Sequence, residues 1–252
     1  MMIYRLLFCF CLCILTGYSE KDIVMQALTY DEQGNYEKAI VYWDKAIKMN
    51  PHNALYYVCR GADKDELENY MDAIQDYNLA VQTDSFLICG YMNRAGSKYA
   101  IKDYAGAIKD YNTALKIYLF KTEHLQIKFV PLPNKLPFGN MTIDSNNLIE
   151  EPQYHIDDII IYRGQAYYQM DSLNLALNDF THCIDRQFCL PFCYYWRASI
   201  YHKQGNADAA YNDLRQVLFY ADKDSDIARQ AQKVLEKGLD MLEAYDLTGD
   251  AK

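Results

Sequence analysis

Alanine recurs at 39, 73 and 107, and again at 176 and 210, so an interval of 34 residues is kept in both runs. Each alanine keeps the same company. Four residues after it stands Trp43, Tyr77, Tyr111, Phe180 or Leu214, and three residues before the first three stands Tyr36, Tyr70 or Tyr104. Upstream lies a small residue, preceded by arginine in four copies: Arg60-Gly61, Arg94-Ala95, Arg163-Gly164 and Arg197-Ala198. A fixed period of this length marks one helical hairpin copied and stacked. Length alone would allow one or two domains in 252 residues. The repeat favours a single array, because each hairpin touches only its neighbours.

The residue types follow from helix packing. Gly61, Ala95, Gly164 and Ala198 let the first helix of a hairpin approach the second, and the recurrent alanines do the same from the other side. The aromatics one turn further on share the alanine face and fill the seam. Gly34 and Gly205 stand where a helix must stop and turn back. Pro51 and Pro191 stand at repeat boundaries, where a ring excluded from helix interiors is tolerated. Five copies in register resemble the tetratricopeptide repeat. The resemblance implies an all-α right-handed superhelix, with repeats one to three over 20–119, repeats four and five over 157–224, and a capping helix over 225–246. Ile227, Ala231, Val234, Leu235, Leu239 and Leu242 give that last segment its apolar face.

Residues 1–19 read as a secretory signal peptide: Arg5 precedes an unbroken apolar run, Leu6 to Leu15, and small residues at 17 and 19 suit a cut after Ser19. The apolar run is too short for an ordinary membrane span. Leu15-Thr16-Gly17-Tyr18 also resembles a bacterial lipoprotein signal, but Tyr18 occupies the place of the lipidated cysteine, so lipidation is not expected. The expected location is the periplasm or cell envelope of a bacterium, with membrane contact only through an uncleaved signal. Three of the eight cysteines fall inside it; the remaining five (59, 89, 183, 189 and 193) leave at least one free thiol, so a full disulfide framework is excluded.

Residues 120–156 interrupt the array. Pro131, Pro133 and Pro137 precede Phe138-Gly139, and Leu125 to Phe129 alternates apolar and polar as a short strand does. Its apolar content predicts an insertion that folds back onto the array, with a possible short β-hairpin. Asn140-Met141-Thr142 fits a glycosylation sequon, a short pattern that also arises by chance.

Nothing in the chain signals catalysis. The five histidines show no metal spacing, and His182-Cys183 with Cys189 and Cys193 is the one soft-ligand group. Cys183 sits at a repeat-core position, which argues for burial over zinc. No catalytic residue, metal or cofactor is expected. A net charge of −9 without a basic stripe argues against nucleic acid.

The resemblance implies a scaffold that binds a protein or peptide along the concave face of the first helices. Mapped onto this chain, that face comprises Asp31, Glu32, Val58, Asp65, Glu66, Met92, Tyr99, Ile161, Gln165, Tyr168, Phe192, Tyr195 and His202. It is acidic at one end and aromatic towards the other, which suits a partner with apolar and basic residues. Val24, Val58 and Met92 stand where a clamp for a peptide carboxylate would begin, so that use is not supported. The alternative is a small-molecule or catalytic site between the insertion and the groove. Tyr168 and Tyr195 are expected to serve binding and not stability.

Overall fold

The computed structural model describes residues 19–124 and 154–242. Residues 1–18 of the expected signal peptide, residues 125–153 of the expected 120–156 insertion with its possible β-hairpin and sequon, and residues 243–252 lie outside them. Every regular element among the described residues is helical. Ten helices form five hairpins: α1 (Glu20–Glu32) with α2 (Tyr36–Met49), α3 (Ala54–Glu66) with α4 (Tyr70–Thr83), α5 (Ile88–Ala100) with α6 (Tyr104–His124), α7 (Ile156–Gln169) with α8 (Leu173–Asp185), and α9 (Leu190–Lys203) with α10 (Ala207–Tyr220). A further helix, α11 (Asp226–Lys237), packs on α10. The chain divides into two compact units, one ending at Gly90 and the other beginning at Tyr91.

In the first unit Val24, Ala27, Ala39, Trp43, Ala46, Tyr56 and Cys59 form one apolar cluster. Gly61 shows why the hairpin needs a small residue: a Cβ there would lie 2.6 Å from Tyr77 Cε1. The second unit has its own core, in which Phe180 stacks on Trp196 at 5.7 Å and Leu214, Val217, Ala231 and Val234 close the far side. Stacking of Tyr111 on Tyr162 joins α6 to α7 in the same unit.

One backbone device turns all five hairpins. Residues 34, 68, 102, 171 and 205 each adopt a positive φ between 57° and 75°. The residue after each donates its N–H five positions back, as Asn35 does to Tyr30 and Asp103 to Lys98. This closes the helix in a left-handed cap. Only Gly34 and Gly205 are visible in the sequence as turn formers; Glu68, Lys102 and Asp171 take the same strained conformation with a side chain attached.

Two boundaries differ from expectation. Helix α6 continues to His124, into the stretch expected to be irregular, because Ile117 and Tyr118 are buried along it and Thr122 bonds back to Tyr118. The final helix stops at Lys237: Gly238 takes φ 105° and Leu239–Met241 form a short 3-10 turn, so Leu239 is buried from a separate element.

Candidate functional site

The repeat lets the first helices be read column by column. Positions 24, 58, 92, 161 and 195 are buried in every copy, and Tyr195 is only 1% exposed. This corrects the placement of Val58, Met92, Ile161 and Tyr195 on an open face. A first helix is covered by its own second helix and by its neighbours in the array, so most of its circumference is core. Gln165, Tyr168 and Phe192 are buried as well. Tyr168 and Phe192 both pack on Trp196, with ring centroids 5.0 and 6.1 Å away, and the Tyr195 hydroxyl donates to Gln230 on α11. Truncating Tyr195 therefore removes core, contrary to the expectation that it serves binding alone.

Within each unit, the surface left on the first helices is a narrow strip at their C-terminal ends. Positions 32, 66, 100, 169 and 203 are exposed in every copy, while 31, 65, 99 and 202 are half-buried. In the first unit this strip carries Asp31, Glu32, Asp65 and Glu66. Asp65 accepts a 2.7 Å hydrogen bond from the Tyr77 hydroxyl. Burial, then the charges of Glu66 and Asp31, raise the Tyr36 phenol above its ordinary pKa. In the second unit the strip is mixed. Gln169 donates to the Tyr99 hydroxyl at 3.1 Å, and the Lys203 ammonium lies 4.1 Å from the Tyr168 ring centroid while facing Asp171. His202 is half-buried beside it.

A second constellation was missed in the sequence. Arg60, Arg94, Arg163 and Arg197 each grip an aspartate sixteen residues on (Asp76, Asp110, Asp179 and Asp213) through Nε and one terminal nitrogen. Distances run from 2.5 to 2.9 Å. Tyrosines lie near the guanidinium groups, as Tyr194 and Tyr201 do at 5.3 and 5.8 Å from Arg197. Applying the 34-residue period to charges would have revealed these pairs. The first repeat has Gln26 and Tyr42 at the two positions and so lacks the fork.

The remaining candidates fall into place as structure. Cys59, Cys89, Cys183 and Cys193 are buried thiols outside any disulfide, and Cys189 is exposed. His182 faces Asp157, which also binds Arg186 and His155. No group of three or more His, Cys, Asp or Glu among the described residues is arranged to hold a metal ion, and no helix among them is long and apolar enough to cross a membrane.

Family models described as tetratricopeptide repeat match residues 25–53 and 193–221. Solved structures agree over most of the chain. A MamA protein aligns at 16% identity and a TM-score of 0.59, covering 79% of this chain and 91% of its own. MamA from Desulfovibrio magneticus RS-1 (residues 41 to the end) aligns at 10% and 0.61, covering 81% and 96%. A thermophilic TPR protein of Thermus thermophilus, TTC0263, aligns at 14% and 0.56, covering 86% and 100%. No curated protein sequence matches. At these identities the likeness concerns fold. The chain thus carries tetratricopeptide repeats and has the all-α fold of proteins built from them.

Proposed function

We propose that this chain is an exported, non-enzymatic scaffold of the cell envelope that binds a protein or peptide along the open strip of its first helices. One observation carries the reading. Position 24 and its equivalents are sealed in every repeat, whereas the strip at 31–32 and 65–66 stays accessible and holds four carboxylates in the first unit. Its charge favours a partner segment with basic residues, and the mixed aromatic strip of the second unit favours apolar ones.

Export is supported by the leader-like residues 1–19. Glu20 accepts hydrogen bonds from Tyr56 at 2.7 Å and Asn50 at 3.1 Å, whereas Ser19 bonds to Asp22 in its own first turn. A cut after Ser19 spares both of the tertiary bonds just named. Sequencing of the protein from an envelope fraction should give Glu20 as the first residue; an intact Met1 in a cytosolic fraction would overturn export.

The binding reading is tested by panning a random peptide display library against the purified chain. Enriched peptides should lose affinity for the charge-reversed variant Asp65→Lys/Glu66→Lys. A library that yields no binder, or binders indifferent to that variant, refutes this face as the binding surface.

A further inference from the structure

Six aspartates are buried among the described residues, and five of them face a guanidinium: Asp76, Asp110, Asp157, Asp179 and Asp213. The sixth, Asp63 on α3, is equally deep at 2% exposure and pairs with no basic side chain. Its neighbours are more acids. The Asp31 carboxyl at the end of α1 is close enough to share a proton with it, and Glu66 lies on the same face of α3. Asp63 Oδ2 and Trp43 Nε1 are buried beside each other and fall short of a well-formed hydrogen bond, so the indole N–H gives the carboxyl only weak support. Repeat architecture does not demand this arrangement, since the equivalent positions hold Thr29, Ser97, Ala166 and Ile200. A buried carboxyl with neither counter-charge nor full hydrogen bonding is a costly departure from the rule the other five obey.

We infer that Asp63, Asp31 and Glu66 form a receptor for one basic side chain, a lysine ammonium or arginine guanidinium, carried by the partner peptide or protein. Asp63 is the floor of this receptor; half-buried Asp31 and exposed Glu66 are its mouth. An incoming cation gives Asp63 the counter-charge that a guanidinium gives the other five buried aspartates, and Glu66 and Asp31 accept its remaining hydrogens. The inference rests on the peptide-binding reading above and adds the residue class the peptide must contain.

The proton count follows from the same geometry. Burial first, and Asp31 second, push the Asp63 carboxyl up to about 9, so it is protonated at neutral pH while the receptor is empty. A bound cation favours the carboxylate, and the displaced proton goes to solvent. The other titratable groups facing the cluster are Tyr36 from α2 and Cys59 from α3; burial raises both, so they stay protonated and contribute nothing to the release.

The probes are N-acetylated octapeptides alternating leucine with lysine, arginine or acetyl-lysine, titrated calorimetrically into the intact chain at pH 7.5 in two buffers of different ionisation enthalpy. The lysine and arginine peptides should bind at least about tenfold tighter than the acetyl-lysine peptide, with release of close to one proton. Asp63→Asn, neutral like the protonated acid it replaces, should lower lysine-peptide affinity about tenfold and abolish the release. Asp31→Asn, at the mouth, should weaken binding with the fold intact by circular dichroism. Unchanged affinity in both variants, or binding without proton release, overturns the inference. Equal affinity for all three peptides overturns it too, yet leaves the scaffold reading standing. Failure of every peptide here and in the display library removes both.

Discussion

Removal of one acid from an arginine fork tests how the hairpins are held. In the last repeat Asp213 accepts from Arg197 Nε at 2.7 Å and from the adjacent terminal nitrogen at 2.8 Å. The Asp213 side chain is 2% exposed and that of Arg197 17%. Asp213→Ala leaves a guanidinium stranded among Tyr194, Tyr201 and the hairpin backbone. Breaking a buried pair this way costs about 3–5 kcal/mol, mostly from the uncompensated charge. The residual exposure of Arg197 gives it a route to water, and its tyrosine contacts survive, so about 3 kcal/mol is the appropriate figure. Urea unfolding followed by Trp196 fluorescence reads the loss, since Trp196 lies in the same core. The double variant Arg197→Met/Asp213→Leu should recover to within about 1 kcal/mol of the parent, because matched apolar residues replace a buried pair at little cost. A loss below about 1 kcal/mol for Asp213→Ala is the range of solvated surface bridges and would refute the reasoning.

Lys102→Gly should raise stability by about 0.5–1 kcal/mol in a thermal melt, since φ 65° penalises any Cβ and glycine offsets only part of that gain in chain entropy. Gly61→Ala should cost about 1–3 kcal/mol, because Tyr77 is buried and tied to Asp65 and so cannot retreat from a new methyl group; a neutral urea midpoint would show that the hairpin can widen. Tyr195→Ala should cost about 3–5 kcal/mol as a core truncation, measured by urea unfolding, whereas Tyr195→Phe keeps the buried ring and loses the bond to Gln230, and should cost less. For Asp63 the folded pKa is raised above the unfolded one, so the folded chain holds an extra proton between about pH 4 and 9 and loses stability as pH rises through that window. Asp63→Asn keeps the neutral state at every pH; its stability advantage should be small at pH 4 and largest near pH 9, and a pH-independent difference would contradict the assignment.

The alanines and their aromatic partners made the hairpins legible, because close helix packing tolerates few residue types at those positions. Turn geometry was only half legible. Glycine signals a positive φ, but Glu68, Lys102 and Asp171 adopt it under tertiary pressure that composition does not reveal. The charge period at 76, 110, 179 and 213 was present and went unread, as polar residues on a helix look solvated until their partners are placed. The candidate face was misjudged for a related reason. A column such as 24, 58, 92, 161 and 195 holds large apolar residues whether it faces a ligand or another helix, and only burial separates the two. Asp31, Glu32, Asp65 and Glu66 were placed on a face that does remain open, because their charges resist burial. Asp63 escaped notice for want of context: an aspartate beside Asp65 and Glu66 reads as one more solvated acid.

The arginine forks also bear on how fast such a chain can fold. Each fork joins residues only sixteen apart, so it forms within a single hairpin and waits for no distant segment. Loop closure over that span is entropically cheap, and contacts of short sequence separation go with rapid folding. The first hairpin, with Gln26 and Tyr42 in place of the pair, lacks this local latch and should form later or fray sooner than the others, which hydrogen exchange resolved along the chain can detect.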